Sequence, residues 1–126
     1  ERKIRASSVV YGRLPMMITA NCLKKTSGEC NRTPAILTLT DRYDKQFPVY
    51  TDCRSCYNII YNSVPLSLHG MFSKKTALCD NFRLDFTVES KRETGDVIRY
   101  FQGLLTAFRE PFYKEYTTGH YKRGVE

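Results

Sequence analysis

The sequence predicts a mixed α/β fold, because the two halves of the chain differ in composition and in the spacing of their apolar residues. Up to about residue 63 the chain is rich in strand-forming residues, prolines and polar turns, whereas the second half has the apolar spacing typical of helices. A chain of 126 residues is large enough for one domain with one modest core. We therefore expect a single domain over residues 1–126, with a β-rich, cysteine-containing part over about 9–63 and an α/β part over about 64–126.

The composition and charge limit the class of protein. The chain is 41% hydrophobic and 26% charged, which excludes a collagen-like or disordered chain. Lys and Arg number 20 against 13 Asp and Glu, so the formal net charge is +7. The basic residues fall in short clusters, and two interpretations stay open: solvated surface charge, or contact with nucleic acid.

The chain shows no apolar run close to the roughly 20 residues that cross a bilayer, so we expect no membrane partner. Five cysteines, an odd number, without a secretion signal favour a reducing compartment over a disulfide framework. The first residues are Glu1-Arg2-Lys3, with no initiator Met. We therefore expect a fragment of a longer protein, with the rest of that chain as one of its partners.

Four strands are predicted in the first half. Residues 8–12 and 14–19 are almost continuously apolar, which is typical of strands buried on both faces. Residues 35–40 alternate apolar and polar side chains, a polar turn follows at 41–46, and residues 47–51 form a second extended run. This pattern predicts a β-hairpin, with Pro48 restricting the second strand to a sheet edge because proline donates no ladder hydrogen bond.

Helical spacing dominates the second half. A capping-type Asn62-Ser63 before Pro65 predicts a short helix over about 65–74. Residues 82–87 alternate as a strand, with Arg83 and Asp85 on one face. Beyond them, a helix that Pro111 ends is predicted by an apolar stripe at a 3.6-residue period: Val97, Ile98, Phe101, Leu104, Leu105 and Phe108.

Four of the five cysteines follow the pattern C-x7-C-x22-C-x2-C, and we call them the cysteine quartet: Cys22, Cys30, Cys53 and Cys56. A C-x-x-C pair can turn two thiolates toward one metal, and closure of the predicted hairpin brings the other two cysteines near. The quartet therefore predicts a metal site. Zinc, an iron–sulfur cluster and free thiols without metal all stay open, because C-x7-C is looser than zinc-ribbon spacing. The fifth, Cys79, is expected to be an apolar filler.

The known catalytic motifs do not identify an active site in this sequence. Neither His69 nor His120 belongs to a recognisable metalloprotease or nucleophile-elbow pattern, so the catalytic residues are unknown, and His69 is expected to be structural. Arg83 and Asp85 stand at the C-terminal end of a predicted strand. In a parallel α/β arrangement that end faces the active site, so we assign them to substrate binding.

Several short motifs in order resemble the collagenase-like peptidases of family U thirty-two. They cover most of the chain: Y-G-R-L-P-M-M-I-T at 11–19, L-T-D-R at 39–42, F-P-V at 47–49, C-x-x-C at 53–56, I-Y-N-S at 60–63, P-L-S-L at 65–68, F-R-L-D at 82–85 and Y-T-T-G-H-Y-K-R-G at 116–124. The resemblance implies a cytoplasmic protein of several hundred residues. This chain would be the C-terminal half of its TIM-barrel-like catalytic domain, with an inserted β-hairpin.

The resemblance implies hydrolysis of a protein or peptide substrate. The family's upstream signature, with Gly-Ser-Leu-Cys and Ser-Gly-x-Cys, is not in this chain, so the fragment is expected to be inactive alone. Some relatives instead hydroxylate RNA bases or quinone precursors and carry cysteine-ligated iron–sulfur clusters. Three functions therefore stay open: a collagenase-like peptidase fragment, part of an iron–sulfur hydroxylase of RNA bases or small molecules, and a metal-stapled substrate-docking module.

Overall fold

Seven strands and two α-helices form in the part of the chain that the computed structural model describes, residues 4–72 and 79–121. This is a mixed α+β fold, and the described residues form no closed barrel. The chain divides into two units. The cysteine unit is Arg13–Ser63, and the helix unit combines the described residues of Glu1–Gly12 and Val64–Glu126. None of the described helices combines the length and apolar character needed to cross a membrane.

The cysteine unit is a four-stranded antiparallel sheet in the order β2-β5-β4-β3. A four-residue helix, α1 (Leu23–Thr26), lies in sequence between β2 and β3. The strands are β2 (Pro15–Thr19), β3 (Ala35–Thr40), β4 (Gln46–Asp52) and β5 (Tyr57–Tyr61).

The predicted hairpin is confirmed, because β3 and β4 pair antiparallel from Ala35 opposite Thr51 to Thr40 opposite Gln46. The prediction that Pro48 restricts its strand to an edge is wrong, since β4 lies between β5 and β3. Pairing of β4 with β5 begins only at Val49. Pro48 therefore lies beyond the β5 ladder and removes no hydrogen bond from it.

Strand β2 forms as predicted, but its expected burial on both faces is wrong. Met16, Met17 and Ile18 are 60%, 57% and 68% exposed. The reason is the place of the strand: β2 is the terminal strand of its sheet, and among the described residues only β5 pairs with it. An apolar run alone does not distinguish a central strand from an edge strand.

The helix unit contains a three-stranded sheet in the order β6-β1-β7. Strand β1 (Ser7–Gly12) runs parallel to β7 (Asn81–Asp85) and antiparallel to β6 (Leu66–Ser67). The core of this unit is built on β1, β6 and the last helix, and its buried apolar side chains include Val10, Tyr11, Leu66, Leu68, Phe72, Val97 and Phe101.

The short helix predicted over 65–74 is wrong in its first part, whereas 69–71 form a 3₁₀ turn and Phe72 is helical. Leu66 and Ser67 form β6, a single 3₁₀ turn covers His69–Met71, and positions 73 and 74 lie outside the described residues. Pairing with distant segments decides this conformation. The backbone N–H of Leu68 donates to the Val10 carbonyl at 2.9 Å, and that of Ser67 donates to the Thr117 carbonyl at 2.9 Å.

The second α-helix, α2 (Lys91–Leu104), is confirmed, but it ends before Pro111. Its start is a capping box, in which Ser90 and Glu93 each accept the other's backbone N–H. Val97 and Phe101 are buried as the apolar stripe predicts. The last part of the stripe is not in the core, because Leu105 is 64% exposed and Phe108 is 63% exposed.

Candidate metal centre

The register of the cysteine unit brings three chain segments to one end of its sheet. At that end the last residue of β2, Thr19, pairs with Asn58, and the first residue of β3, Ala35, pairs with Thr51. Cys22 follows β2, Cys30 lies in the loop that precedes β3, and the other two cysteines lie in the turn between β4 and β5. Sheet pairing therefore gathers cysteines that are up to 34 positions apart in the sequence, from 22 to 56.

The cysteine quartet lines a single, partly open cavity of about 580 Å³, which we call the cysteine cavity. Lys25 and Arg32 line it as well. All four thiols are free of disulfides; Cys22 is buried, Cys53 is half-buried, and the other two are exposed. The sequence prediction that the quartet shares one location thus agrees with the geometry.

The turn between β4 and β5 is held by Asp52. Its Oδ1 accepts the backbone N–H of Arg54 at 2.8 Å and that of Ser55 at 3.1 Å. These two hydrogen bonds hold the pKa of the Asp52 carboxyl below its ordinary value, and the charge of that carboxylate raises the pKa of the Tyr57 hydroxyl. Cys56 has φ of 53°, a left-handed conformation that is uncommon outside glycine.

Lys24 organises the loop that carries Cys30. Its side chain is only 7% exposed, and its ammonium donates to Oδ1 of Asn31 and, at 2.8 Å, to the carbonyl oxygen of Thr33. The same Asn31 oxygen accepts the backbone N–H of Thr33 at 3.1 Å. Lys24 therefore holds this loop together through its hydrogen bonds, which we call the Lys24 tie. Its neighbour Lys25 instead lines the cysteine cavity.

A buried amide fastens β5 to the segment before Cys22. Asn58 is fully buried, and its Nδ2 donates to the carbonyl oxygen of Asn21 at 2.7 Å. Its Oδ1 is buried without a hydrogen-bond partner among the described residues. The side chain thus holds two cysteine-bearing segments together, since Asn21 and Asn58 lie one and two positions from Cys22 and Cys56.

Among the residues that the structure describes, no three His, Cys, Asp or Glu side chains are arranged to hold a single metal ion. A tetrahedral zinc site needs four sulfurs at about 2.3 Å from one centre, whereas an iron–sulfur cluster receives each cysteine at a different iron. Four cysteines around a cavity are a donor set that zinc and an iron–sulfur cluster both accept.

The two residues assigned to substrate binding lie on β7 in the helix unit and contact each other. Nε and Nη2 of Arg83 donate to Oδ1 and Oδ2 of Asp85 at 2.7 and 2.8 Å, and the side chains are 66% and 40% exposed. Their predicted position on one strand face is confirmed. The hydrogen bonds with Asp85, and after them the charge of its carboxylate, raise the pKa of Arg83. Their role in binding substrate stays a prediction.

A buried cluster in the helix unit was not anticipated from the sequence. Oγ of Ser67 lies 2.9 Å from Nδ1 of His69 and 2.6 Å from the hydroxyl of Tyr113, and burial raises the Tyr113 pKa to about 12. The Tyr116 ring meets the imidazole edge to face at 4.7 Å between centroids. The signal was the alternation in Leu-Ser-Leu-His, which puts Ser67 and His69 on one face of an extended segment.

Cys79 lies in the helix unit and is half-buried, so it is not part of the cysteine cavity. Comparison of the chain with protein-family models, with curated proteins and with solved structures finds no match. Family membership and the activity that it implies therefore stay predictions, and the cysteine cavity is the feature from which function is argued.

Proposed function

We propose that the cysteine unit binds an iron–sulfur cluster through the thiolates of the cysteine quartet, and that the chain is part of an iron–sulfur enzyme. One observation carries the proposal: four cysteines from three separate segments line one cavity. A four-thiolate donor set is the usual protein ligand set of iron–sulfur clusters. Of the functions that the resemblance leaves open, an iron–sulfur cluster supports the hydroxylase of RNA bases or small molecules.

The surroundings of the cavity also support the proposal. Four thiolates bring four negative charges together, and Lys25 and Arg32 on the cavity wall lower the cost of that charge. The Asp52 turn and the Lys24 tie fix the backbone on both sides of the cavity, so the cysteines are held before any cofactor arrives. When bound, such a cluster supplies one-electron transfer.

The same proposal has consequences for compartment and fold. A thiolate-ligated cluster requires reduced cysteines, which agrees with a cytoplasmic protein. The parallel pairing of β1 with β7 is typical of a barrel-like domain, whereas the antiparallel pairing of β1 with β6 is not. Collagenase-like peptidase activity, with Arg83 and Asp85 at the substrate, stays a second prediction, and cleavage of gelatin by a longer chain that depends on both residues would support it.

Anaerobic reconstitution tests the cluster. We expect the chain, incubated with ferrous iron, sulfide and thiol, to gain a broad visible absorption band and iron and acid-labile sulfide in equal amounts. Serine substitution of any member of the quartet should remove most of this signal, whereas Cys79→Ser, in the other unit, should leave it intact. A colourless protein with one zinc per chain would contradict the proposal and favour the metal-stapled docking module.

A further inference from the structure

The basic residues near the cysteine quartet separate into different roles. The sequence places Lys24, Lys25, Arg32 and Arg54 beside the cysteines. In the structure the ammonium of Lys24 is occupied in the loop, and Arg54 is exposed on the turn and is not among the described residues that line the cavity. Only Lys25 and Arg32 combine positive charge with a place on the cavity wall.

Among the residues that the structure describes, no carboxylate forms an ion pair with either of these two cations. The described ion pairs involve Arg83, Arg92 and Arg99, and no Asp or Glu is among the described residues that line the cavity. Two positive side chains on one concave wall attract an anion, since concave walls of low dielectric concentrate the field.

The backbone of Arg32 adopts an unfavourable conformation at the cavity wall. Its φ of 57° lies in the left-handed region, which side chains with a Cβ rarely adopt. The surrounding loop imposes it: Asn31 accepts hydrogen bonds from Lys24 and from the backbone of Thr33. Strain of this kind at a cavity points to a role for the side chain.

The size of the cavity indicates a molecule rather than an ion. A volume of about 580 Å³ falls within the range of small-molecule sites, about 300–1,000 Å³. The cavity is also partly open, so it admits a ligand from solvent. The cavity therefore has space for an anionic group beside the cysteines, and a cluster bound by the quartet would share that volume.

We propose that Lys25 and Arg32 form a subsite for the phosphate group of a ligand that enters the cysteine cavity. The arginine fork binds two phosphate oxygens at once, and the lysine ammonium adds a point charge. The inference extends the proposed function by naming the chemistry of the cavity's ligand. The phosphate belongs to a small phosphorylated molecule or to the backbone of a single-stranded nucleic acid.

Phosphate titration of the full 126-residue chain tests the subsite, with heat or amide chemical shifts as the readout. It is carried out on reduced, metal-free protein and on protein reconstituted with iron and sulfide. The probes are inorganic phosphate and a single-stranded oligonucleotide. Because each cation contributes a charge-assisted contact, we expect Lys25→Gln and Arg32→Gln each to weaken phosphate binding on the order of tenfold.

Two controls separate the subsite from general charge and from folding. Arg54→Gln removes one nearby positive charge outside the cavity and should change binding less than about twofold. Arg32→Gly relieves the left-handed strain, so it should fold at least as stably as the wild type and still lose phosphate affinity. Equal losses in Arg54→Gln and Arg32→Gln, or no loss in the Lys25 and Arg32 variants, would overturn the subsite.

The outcomes distinguish the subsite from the cluster. Phosphate binding through Lys25 and Arg32 in a chain that takes up no iron would support the subsite and contradict the proposed function. Iron uptake without binding of either probe would overturn the subsite alone, as would variants that lose iron but keep phosphate. Displacement of the oligonucleotide by phosphate assigns the backbone as the source, and phosphate binding without oligonucleotide binding assigns a small molecule.

Discussion

A Cβ atom added to Gly12 would lie 2.6 Å from the carbonyl oxygen of Asp85. The two residues are register partners at the C-terminal ends of the parallel strands β1 and β7. The φ of Gly12 is 147°, so the backbone conformation also disfavours any other residue. The junction between the two strands is therefore closed by direct backbone contact.

Gly12→Ala should destabilise the helix unit by about 2 kcal/mol or more, since the methyl group meets backbone rather than a movable side chain. Urea unfolding gives the measurement, as a lower midpoint at unchanged slope. Gly70→Ala is the matched control, because nothing lies within 4 Å of its added Cβ. Equal midpoints for the two variants would contradict the close approach.

His69 should make the protein less stable in mild acid. It is 5% exposed, and burial lowers its pKa below 6.5, an effect that the charge of Glu110 partly opposes. Its stabilising contribution is complete above pH 6.5 and is lost as the pH falls through 6.5 toward the lower folded-state pKa, because the unfolded chain takes up the proton first. Unfolding midpoints at pH 7.5 and pH 5.5, on the order of one unit on each side of this value, measure the loss.

The acid sensitivity can be assigned, since the chain has only two histidines. His69→Gln should remove the difference between the unfolding midpoints at the two pH values. His120→Gln, at an exposed position, should keep the difference seen in the wild type. The Asp52 carboxyl titrates below its ordinary 3.8 and so falls outside this window. If the dependence persisted in His69→Gln, the buried imidazole would not be its source.

Lys24→Met should cost about 2 kcal/mol of stability although it removes a charge from a basic protein. The methionine fills the same volume, but it leaves the Thr33 carbonyl without the Lys24 donor, and the Asn31 amide oxygen keeps only the backbone N–H of Thr33. Lys25→Met, one position along, should change stability by less than about 0.5 kcal/mol because it breaks no such tie. Thermal unfolding compares them, and equal effects would show that Lys24 does not hold the loop.

Ser90→Ala should destabilise α2 by about 1 kcal/mol, because the Glu93 backbone N–H loses the hydroxyl that accepts it. Ser90→Asp should restore most of the loss, since aspartate also accepts at this position and adds negative charge at the helix start. Chemical unfolding of the three proteins gives the comparison. An alanine variant as stable as the wild type would mean that the cap contributes nothing.

Local patterns predict the elements whose partners are close in sequence. The hairpin of β3 and β4 followed from alternation and an intervening turn, and the start and inner face of α2 followed from periodicity. Strand β6 was assigned to a helix because its partners, Tyr11 and Thr117, are about 50 positions away on either side. Pairing across that distance leaves no local signal and overrides helix propensity.

The sequence also predicts the candidate site only in part. Spacing predicted which cysteines come together, since one hairpin accounts for their approach. Spacing did not distinguish Lys24 from Lys25, because the two have the same charge and adjacent positions. Only the fold shows that Lys24 is buried and hydrogen-bonded to the loop. Nor does a sequence show that Arg32 adopts a left-handed backbone.

The two ends of the cysteine unit are fastened to each other. The Arg13 guanidinium donates to the carbonyl oxygens of Asn62 and Ser63, and the backbone N–H of Asn62 donates to the Leu14 carbonyl at 2.9 Å. The segment that carries all four cavity cysteines thus leaves and returns to the chain at one point, as an inserted cassette does. We therefore expect the four cysteines to be gained, lost or transplanted together, as one continuous piece of gene.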